Sequence, residues 1–136
     1  MLLISLSLFG MTACDGENKS ETQSKTQSET QKPLTYEQIT AEQAKTIMDT
    51  EKDYVIIDAR TEEEFAEGHI ENAILIPEYE IANRAKNELP DKEQLILVYC
   101  RSGRRSKIAS EELVKLGYTN VKEFGGIIDW PYKTVK

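Results

Sequence analysis

The sequence predicts an α/β domain: a mainly parallel, five-stranded sheet with helices on both faces. Three observations predict it. Between residues 35 and 136, short apolar runs alternate with stretches of helical periodicity, the pattern of strands joined by crossover helices. Tyr54-Val55-Ile56-Ile57 and Leu95-Ile96-Leu97-Val98-Tyr99 are apolar at every position, as strands covered on both faces are. Thr40-Ala41-Glu42-Gln43 and Thr61-Glu62-Glu63-Glu64 are capping boxes, which mark helix starts.

In order along the chain, residues 36–39 are a short first strand, and Thr40 caps a helix reaching about Met48. Residues 54–58 are a buried strand that ends on an acid, Asp58. The second capping box opens a short acidic helix to about Ala66, and residues 73–76 form a strand stopped by Pro77. A helix between Tyr79 and Leu89 closes at Pro90. The strand at 94–99 then leads through Cys100-Arg101-Ser102-Gly103-Arg104-Arg105 into a helix from Ser106 to Leu116, with Gly117 as its stop. A last strand at 121–124 runs into Gly125-Gly126. In sheets of this kind the site lies at the carboxyl ends of the strands, where Asp58 and Cys100 both fall.

The loop after the 94–99 strand points to chemistry. A cysteine that leaves a strand and faces a helix N-terminus meets inward N–H groups and the positive end of the helix dipole. Both favour a thiolate over a thiol, as do the three loop arginines. The chain is acidic, with 24 Asp and Glu against 17 Lys and Arg and a net charge of -7. Yet Arg101, Arg104, Arg105 and Lys107 fall within seven residues. A local cationic patch on an acidic chain suits a small anion and argues against nucleic acid, which the rest of the surface would repel. The His and Cys positions offer no cluster for a metal, and no cofactor is implied.

The first 34 residues belong to a different part of the architecture. Residues 1–10 are uncharged and largely apolar, and they lead into Met11-Thr12-Ala13-Cys14. This is too short for a comfortable membrane span and has the pattern of an export signal. Residues 15–32 contain no aliphatic or aromatic side chain, so they cannot bury enough surface to fold. The expected order is a signal peptide over 1–13, a disordered polar tether over 14–34 and a folded domain over 35–136. A coil of about 20 residues reaches roughly 25 Å on average. A disulfide between Cys14 and Cys100 would join a disordered tail to the loop and is not expected.

Across residues 35–132 the chain resembles the single-domain rhodaneses, the thiosulfate-type sulfurtransferases. The resemblance rests on Asp58-Ala59-Arg60, Glu64-Phe65, Gly68-His69-Ile70 and Asn72-Ala73-Ile74-Leu75-Ile76-Pro77. It continues in Tyr99-Cys100-Arg101-Ser102-Gly103-Arg104-Arg105-Ser106, Leu116-Gly117-Tyr118, and Gly125-Gly126 followed by Trp130. Their order and spacing are far more specific than any one motif. Separately, Met11-Thr12-Ala13-Cys14 resembles the lipobox of bacterial lipoproteins. That resemblance implies lipidation of Cys14 and export to the cell envelope, with the protein held at a membrane by its lipid.

The rhodanese resemblance implies that Cys100 is the nucleophile. It attacks the sulfane sulfur of a small anionic donor such as thiosulfate, becomes a persulfide, and passes sulfur to cyanide or a thiol acceptor. Backbone N–H groups from Arg101 to Arg105 would cradle the persulfide, with Ser102 in that loop. Arg101, Arg104 and Arg105 would attract the donor's oxygens, and Gly103 would let the loop close tightly. Arg60 and Glu64 would form an ion pair, and His69 would brace a turn. Asp58 stands as a candidate for either a catalytic or a structural role. The protein is expected to work as a monomer. Two alternatives remain: a sulfur carrier or interaction module without turnover, and a phosphatase or arsenate reductase of the same fold. Four residues separate Cys100 from Arg105, one fewer than the wider loop a tetrahedral phosphate needs, so spacing favours sulfur.

Overall fold

The alternation of strands and helices is realised as a five-stranded sheet with the order β1-β5-β4-β2-β3, in which every neighbouring pair is parallel. The structure, a computed structural model, describes residues 35–136. The expected signal peptide, Cys14 and tether lie outside the described residues. The strands are β1 Glu37–Gln38, β2 Tyr54–Asp58, β3 Ala73–Leu75, β4 Leu95–Cys100 and β5 Val121–Gly126, and the helices are α1 Ala41–Thr50, α2 Glu62–Glu67, α3 Ile81–Glu88 and α4 Arg104–Lys115. Both capping boxes form: the Thr40 and Thr61 hydroxyls accept from the N–H groups of Gln43 and Glu64, whose side chains accept in return.

Side chains that alternate along a strand reach opposite faces of the sheet, and this divides the core in two. Ile57, Ile96, Val98 and Cys100 face α3 and α4 and pack with Ile81, Ala85, Ala109 and Leu113. Ile56, Leu97, Tyr99 and Phe124 face α1 and pack with Ala44, Ile70 and Trp130. Residues 96–99 are fully buried, which is why their run carries no polar position. Each such aliphatic side chain contributes about 1.5–3 kcal/mol through burial.

Of the boundaries that differ from the sequence-based expectation, three have a specific structural cause. The helix expected from Tyr79 begins instead as a 3-10 turn over Glu78–Glu80, closed by the Glu80 N–H donating to the Pro77 carbonyl. The last strand continues beyond Phe124 to Gly126 because it carries an irregularity: Val98 pairs with Glu123, but Cys100 pairs with Gly126. Gly125, at φ +87°, absorbs the extra residue at the bend, as bulge glycines do. Finally, α4 starts at Arg104 rather than Ser106.

Candidate active site

That early start places Cys100 close to a helix N-terminus. Cys100 is the last residue of β4, and its side chain is 1% exposed. Gly103, at φ +106° and ψ −16°, is the N-cap of α4. Its left-handed backbone turns its N–H onto Cys100 Sγ at 3.0 Å, a conformation an L side chain would strain. Arg104 and Arg105 therefore occupy the first helical turn, whose N–H groups have no acceptor within the helix and carry its positive partial charge.

The loop is pressed from below by β5. The Arg101 carbonyl accepts from the Ile128 N–H at 3.2 Å and passes directly over Gly126. A Cβ on Gly126 would stand 1.9 Å from that oxygen. Here the glycine serves close approach, since its φ of −129° is ordinary.

The loop cations divide into two kinds. Arg105 forms a two-pronged pair with Glu64 of α2, both bonds measuring 2.7 Å, and is thereby oriented toward α2. Arg101 and Arg104 are exposed and form no ion pair among the described residues. Glu64 was expected to pair with Arg60; the structure corrects this. Arg60 instead clasps Asp58, with Nε at 2.9 Å from Oδ1 and Nη2 at 2.7 Å from Oδ2. The short step from Asp58 to Arg60 keeps both at the end of β2, whereas α2 carries Glu64 across to α4.

Arg105 holds the Glu64 carboxyl down to about 2, against burial, with help from Thr61. A depressed carboxylate adds stability above its unfolded value, near 4.5, and that stability is lost as pH falls toward 2. Glu64→Gln should therefore flatten the decline in stability between about pH 5 and 2. The expected loss at pH 7 is on the order of 1–2 kcal/mol, reduced by partial solvent screening. Urea unfolding across that pH range checks it, and parallel curves for the two proteins would refute it.

Asp58 is placed away from the thiol. It pairs in register with Tyr99 and shares its face of the sheet, while the adjacent Cys100 points to the other face. Both carboxylate oxygens are occupied: Oδ1 by the Arg60 N–H and Nε, and Oδ2 by Arg60 and by the Tyr99 hydroxyl at 2.6 Å. Burial, then Asp58, pushes the Tyr99 hydroxyl well above the ordinary tyrosine range. Arg60 also donates to the Gly68 carbonyl, and the Tyr99 hydroxyl accepts from the Ile70 N–H. Of the two roles open to Asp58, this network supports the structural one, tying β2, β4 and the segment before β3 together. His69 stacks on Phe65 with centroids 3.7 Å apart, donates its Nδ1–H to the Phe65 carbonyl at 2.9 Å, and bridges to Val135 through its backbone. It holds the α2–β3 connection to the C-terminal residues.

Sequence reasoning missed two residues beneath the loop. Ser106 Oγ lies 3.4 Å from Cys100 Sγ and 2.6 Å from Glu123 Oε1. Glu123 is a carboxyl 2% exposed in the middle of β5. An acid inside an otherwise buried strand was the available signal. Among the described residues there is no group of three or more His, Cys, Asp or Glu placed to hold a metal.

A buried cysteine at the carboxyl end of a parallel strand, cupped by a helix N-terminus beneath exposed arginines, gives this α/β domain a loop whose electrostatics suit an anion. Comparison with known proteins identifies its family. Residues 40–131 match the profile of the rhodanese-like domain, and the chain belongs to that family. It is 40% identical over 80 residues to thiosulfate sulfurtransferase PspE of Escherichia coli K12, covering 59% of this chain and 77% of that protein. To the putative sulfur carrier protein YrkF of Bacillus subtilis it is 35% identical over 98 residues, 71% of this chain and 52% of that protein. Among solved structures, a rhodanese with anions from E. coli superimposes with a TM-score of 0.58 at 38% identity, spanning 61% of this chain and 98% of that one.

Proposed function

We propose that this protein is a sulfurtransferase that carries sulfane sulfur on Cys100. The donor is thiosulfate or a persulfide, and the acceptor is cyanide or a thiol. One observation carries the reading: Cys100 Sγ accepts from the Gly103 N–H at the start of α4, beside two exposed arginines, Arg101 and Arg104, that form no ion pair among the described residues. Attack by the Cys100 sulfur forms the Sγ–S bond as the donor's S–S bond breaks, and sulfite (from thiosulfate) or a thiolate (from a persulfide) leaves with the electron pair. The acceptor then takes the outer sulfur and returns Cys100 to its starting state. Intact-mass measurement after thiosulfate exposure should show one added sulfur atom, removed by cyanide with formation of thiocyanate. Absence of the adduct would overturn the assignment. A single burst without turnover on small acceptors would mark the protein as a carrier. Efficient hydrolysis of aryl phosphates would favour the phosphatase alternative.

Arg105 is committed to Glu64, so attraction of the donor falls to Arg101 and Arg104. The double variant Arg101→Ala/Arg104→Ala should raise KM for thiosulfate by roughly tenfold, the scale of two exposed charges. Rising salt should have the same effect on the wild type, and a neutral donor should be used as before. Equal losses with charged and neutral donors would show that the arginines only shape the loop.

We further propose that Cys14 is lipidated and anchors the domain at a membrane of a bacterial cell envelope. Met11-Thr12-Ala13-Cys14 supports this, as does the polar stretch that follows. The wild type should partition into detergent and Cys14→Ser should not, with sulfur transfer unchanged. Stable anchoring takes more than one acyl chain. Recovery of the wild type in the aqueous phase with Met1 retained would overturn the anchor and leave the catalytic assignment standing.

A further inference from the structure

Glu123 is a buried carboxyl that sulfur transfer as described does not use. It stands next to the reacting sulfur without touching it. Among the described residues no cation lies within ion-pair distance of it. Three donors meet it instead: Ser106 Oγ at 2.6 Å and the Gly125 N–H at 2.8 Å on Oε1, and Gln38 Nε2 at 3.4 Å on Oε2. The Gly125 and Gln38 groups can only donate, so both oxygens of Glu123 are placed as acceptors.

Ser106 fixes the direction of the chain of bonds. Its hydroxyl has one hydrogen and four oxygen or sulfur neighbours: Glu123 Oε1 at 2.6 Å, the Gly103 carbonyl at 3.0 Å, the Gly125 carbonyl at 3.3 Å and Cys100 Sγ at 3.4 Å. The shortest contact takes the hydrogen. The lone pairs of Ser106 Oγ are then open to the Cys100 S–H. The series runs from Cys100 S–H to Ser106 O–H to the Glu123 carboxylate, and every donor in it has an acceptor.

We propose that Cys100 and Glu123 share a proton through Ser106, with Glu123 as a positioning residue that stores the thiol's proton inside the protein. The thiol proton moves to Ser106 Oγ as the hydrogen of Ser106 moves to Glu123 Oε1. This leaves a thiolate bonded by Gly103 and Ser106 and a neutral Glu123, with the charge of the pair unchanged. The inference rests on the sulfur-transfer reading for its role in turnover. Thiosulfate loads the thiolate and sulfite departs while Glu123 holds the proton. When cyanide or an acceptor thiolate removes the outer sulfur, the proton returns to Cys100. Each half-reaction conserves charge, and neither needs an oxidant or reductant from outside.

The surroundings leave this pair distinct. From α4, Arg105 feels the Cys100 charge but is held by Glu64. Glu111 of α4 and Glu123 both act on the hydroxyl of Tyr36, beside β1, which is raised first by its own burial and then by these two. From β1, Gln38 is neutral. Asp58 reaches Arg105 only through its field and is bonded to Arg60. The exposed Arg101 and Arg104 border the loop from the solvent side.

Two groups that share a proton titrate as a pair, in steps that belong to neither alone. The rate of Cys100 alkylation by iodoacetamide in the wild type should therefore rise over a wider pH span than a single-proton curve. Glu123→Gln keeps an oxygen for Ser106 and Gly125 but cannot charge. Its profile should become a single-proton curve, with its half-maximal point lower by about one pH unit, the scale of a removed like charge. Superimposable profiles in a folded variant would overturn the proposal and reduce Glu123 to a brace. Should the variant not fold, the wild type supplies the reciprocal measurement by carbon-13 NMR of the Glu123 carboxyl. Its pH dependence should lose one of two steps once Cys100 is alkylated, and an unchanged titration would overturn the proposal. Neither readout uses a sulfur donor, so a failure here is separable from a failure of the mass measurement.

Discussion

Cys100→Ser should abolish thiosulfate-dependent thiocyanate formation, with a loss of at least about three orders of magnitude, the scale of removing a covalent nucleophile. No second thiol is available in the described domain, where Cys100 is the one cysteine and is free. The substitution is gentle to the fold. A serine oxygen at the same buried position can accept from the Gly103 N–H and sit beside Ser106, as Sγ does. The expected change in stability is therefore about 1 kcal/mol or less. Urea denaturation and the intact-mass assay together check the pair of expectations. Residual turnover above background in a folded variant would move the nucleophile elsewhere.

Gly126→Ala should be the most damaging glycine-to-alanine change among the described residues. Its Cβ would lie 1.9 Å from the Arg101 carbonyl oxygen, 2.3 Å from the carbon and 2.6 Å from Ser102 Cα. All three are backbone atoms, so no side chain can swing away. Either the loop lifts from β5, losing the Ile128 bond and the Gly103 contact to the sulfur, or the end of β4 parts from β5. The expected cost is about 3 kcal/mol or more, together with loss of sulfur loading. Gly117→Ala is the control. Gly117 also has a positive φ, +96°, but nothing lies within 4 Å of its added methyl, so only backbone strain of about 1–2 kcal/mol applies. Equal losses in the two variants, measured by urea unfolding, would show that the contact at Gly126 is relieved cheaply.

Residues that act over a few neighbours were legible from order alone. The capping boxes at Thr40 and Thr61, the apolar runs at 54–57 and 95–99 and the stop at Gly117 each depend on interactions within a turn or on burial averaged over a strand. They produced the elements and the parallel α/β class. The strand–Cys100–helix sequence likewise located the loop, because the chemistry of a helix N-terminus follows from its position along the chain. Bounds shifted where geometry intervened. Arg104 and Arg105 joined α4 because Gly103 could take a left-handed backbone, and β5 outran Phe124 because Gly125 could absorb a bulge.

By itself, then, the sequence determined the fold class, the strand–loop–helix position of Cys100 and the cationic composition of its loop. Pairings across the sheet were decided only by the tertiary structure. Glu64 found Arg105 rather than Arg60, since α2 lies against the N-terminal turn of α4, 41 residues away along the chain. Asp58 and Cys100 end neighbouring strands, yet the one-residue alternation of side chains sends them to opposite faces. Glu123 reached Ser106 across 17 residues, and Gly126 met Arg101 because the bulge in β5 set their register. Each of these depends on strand order and register, which single-residue chemistry and local periodicity do not encode.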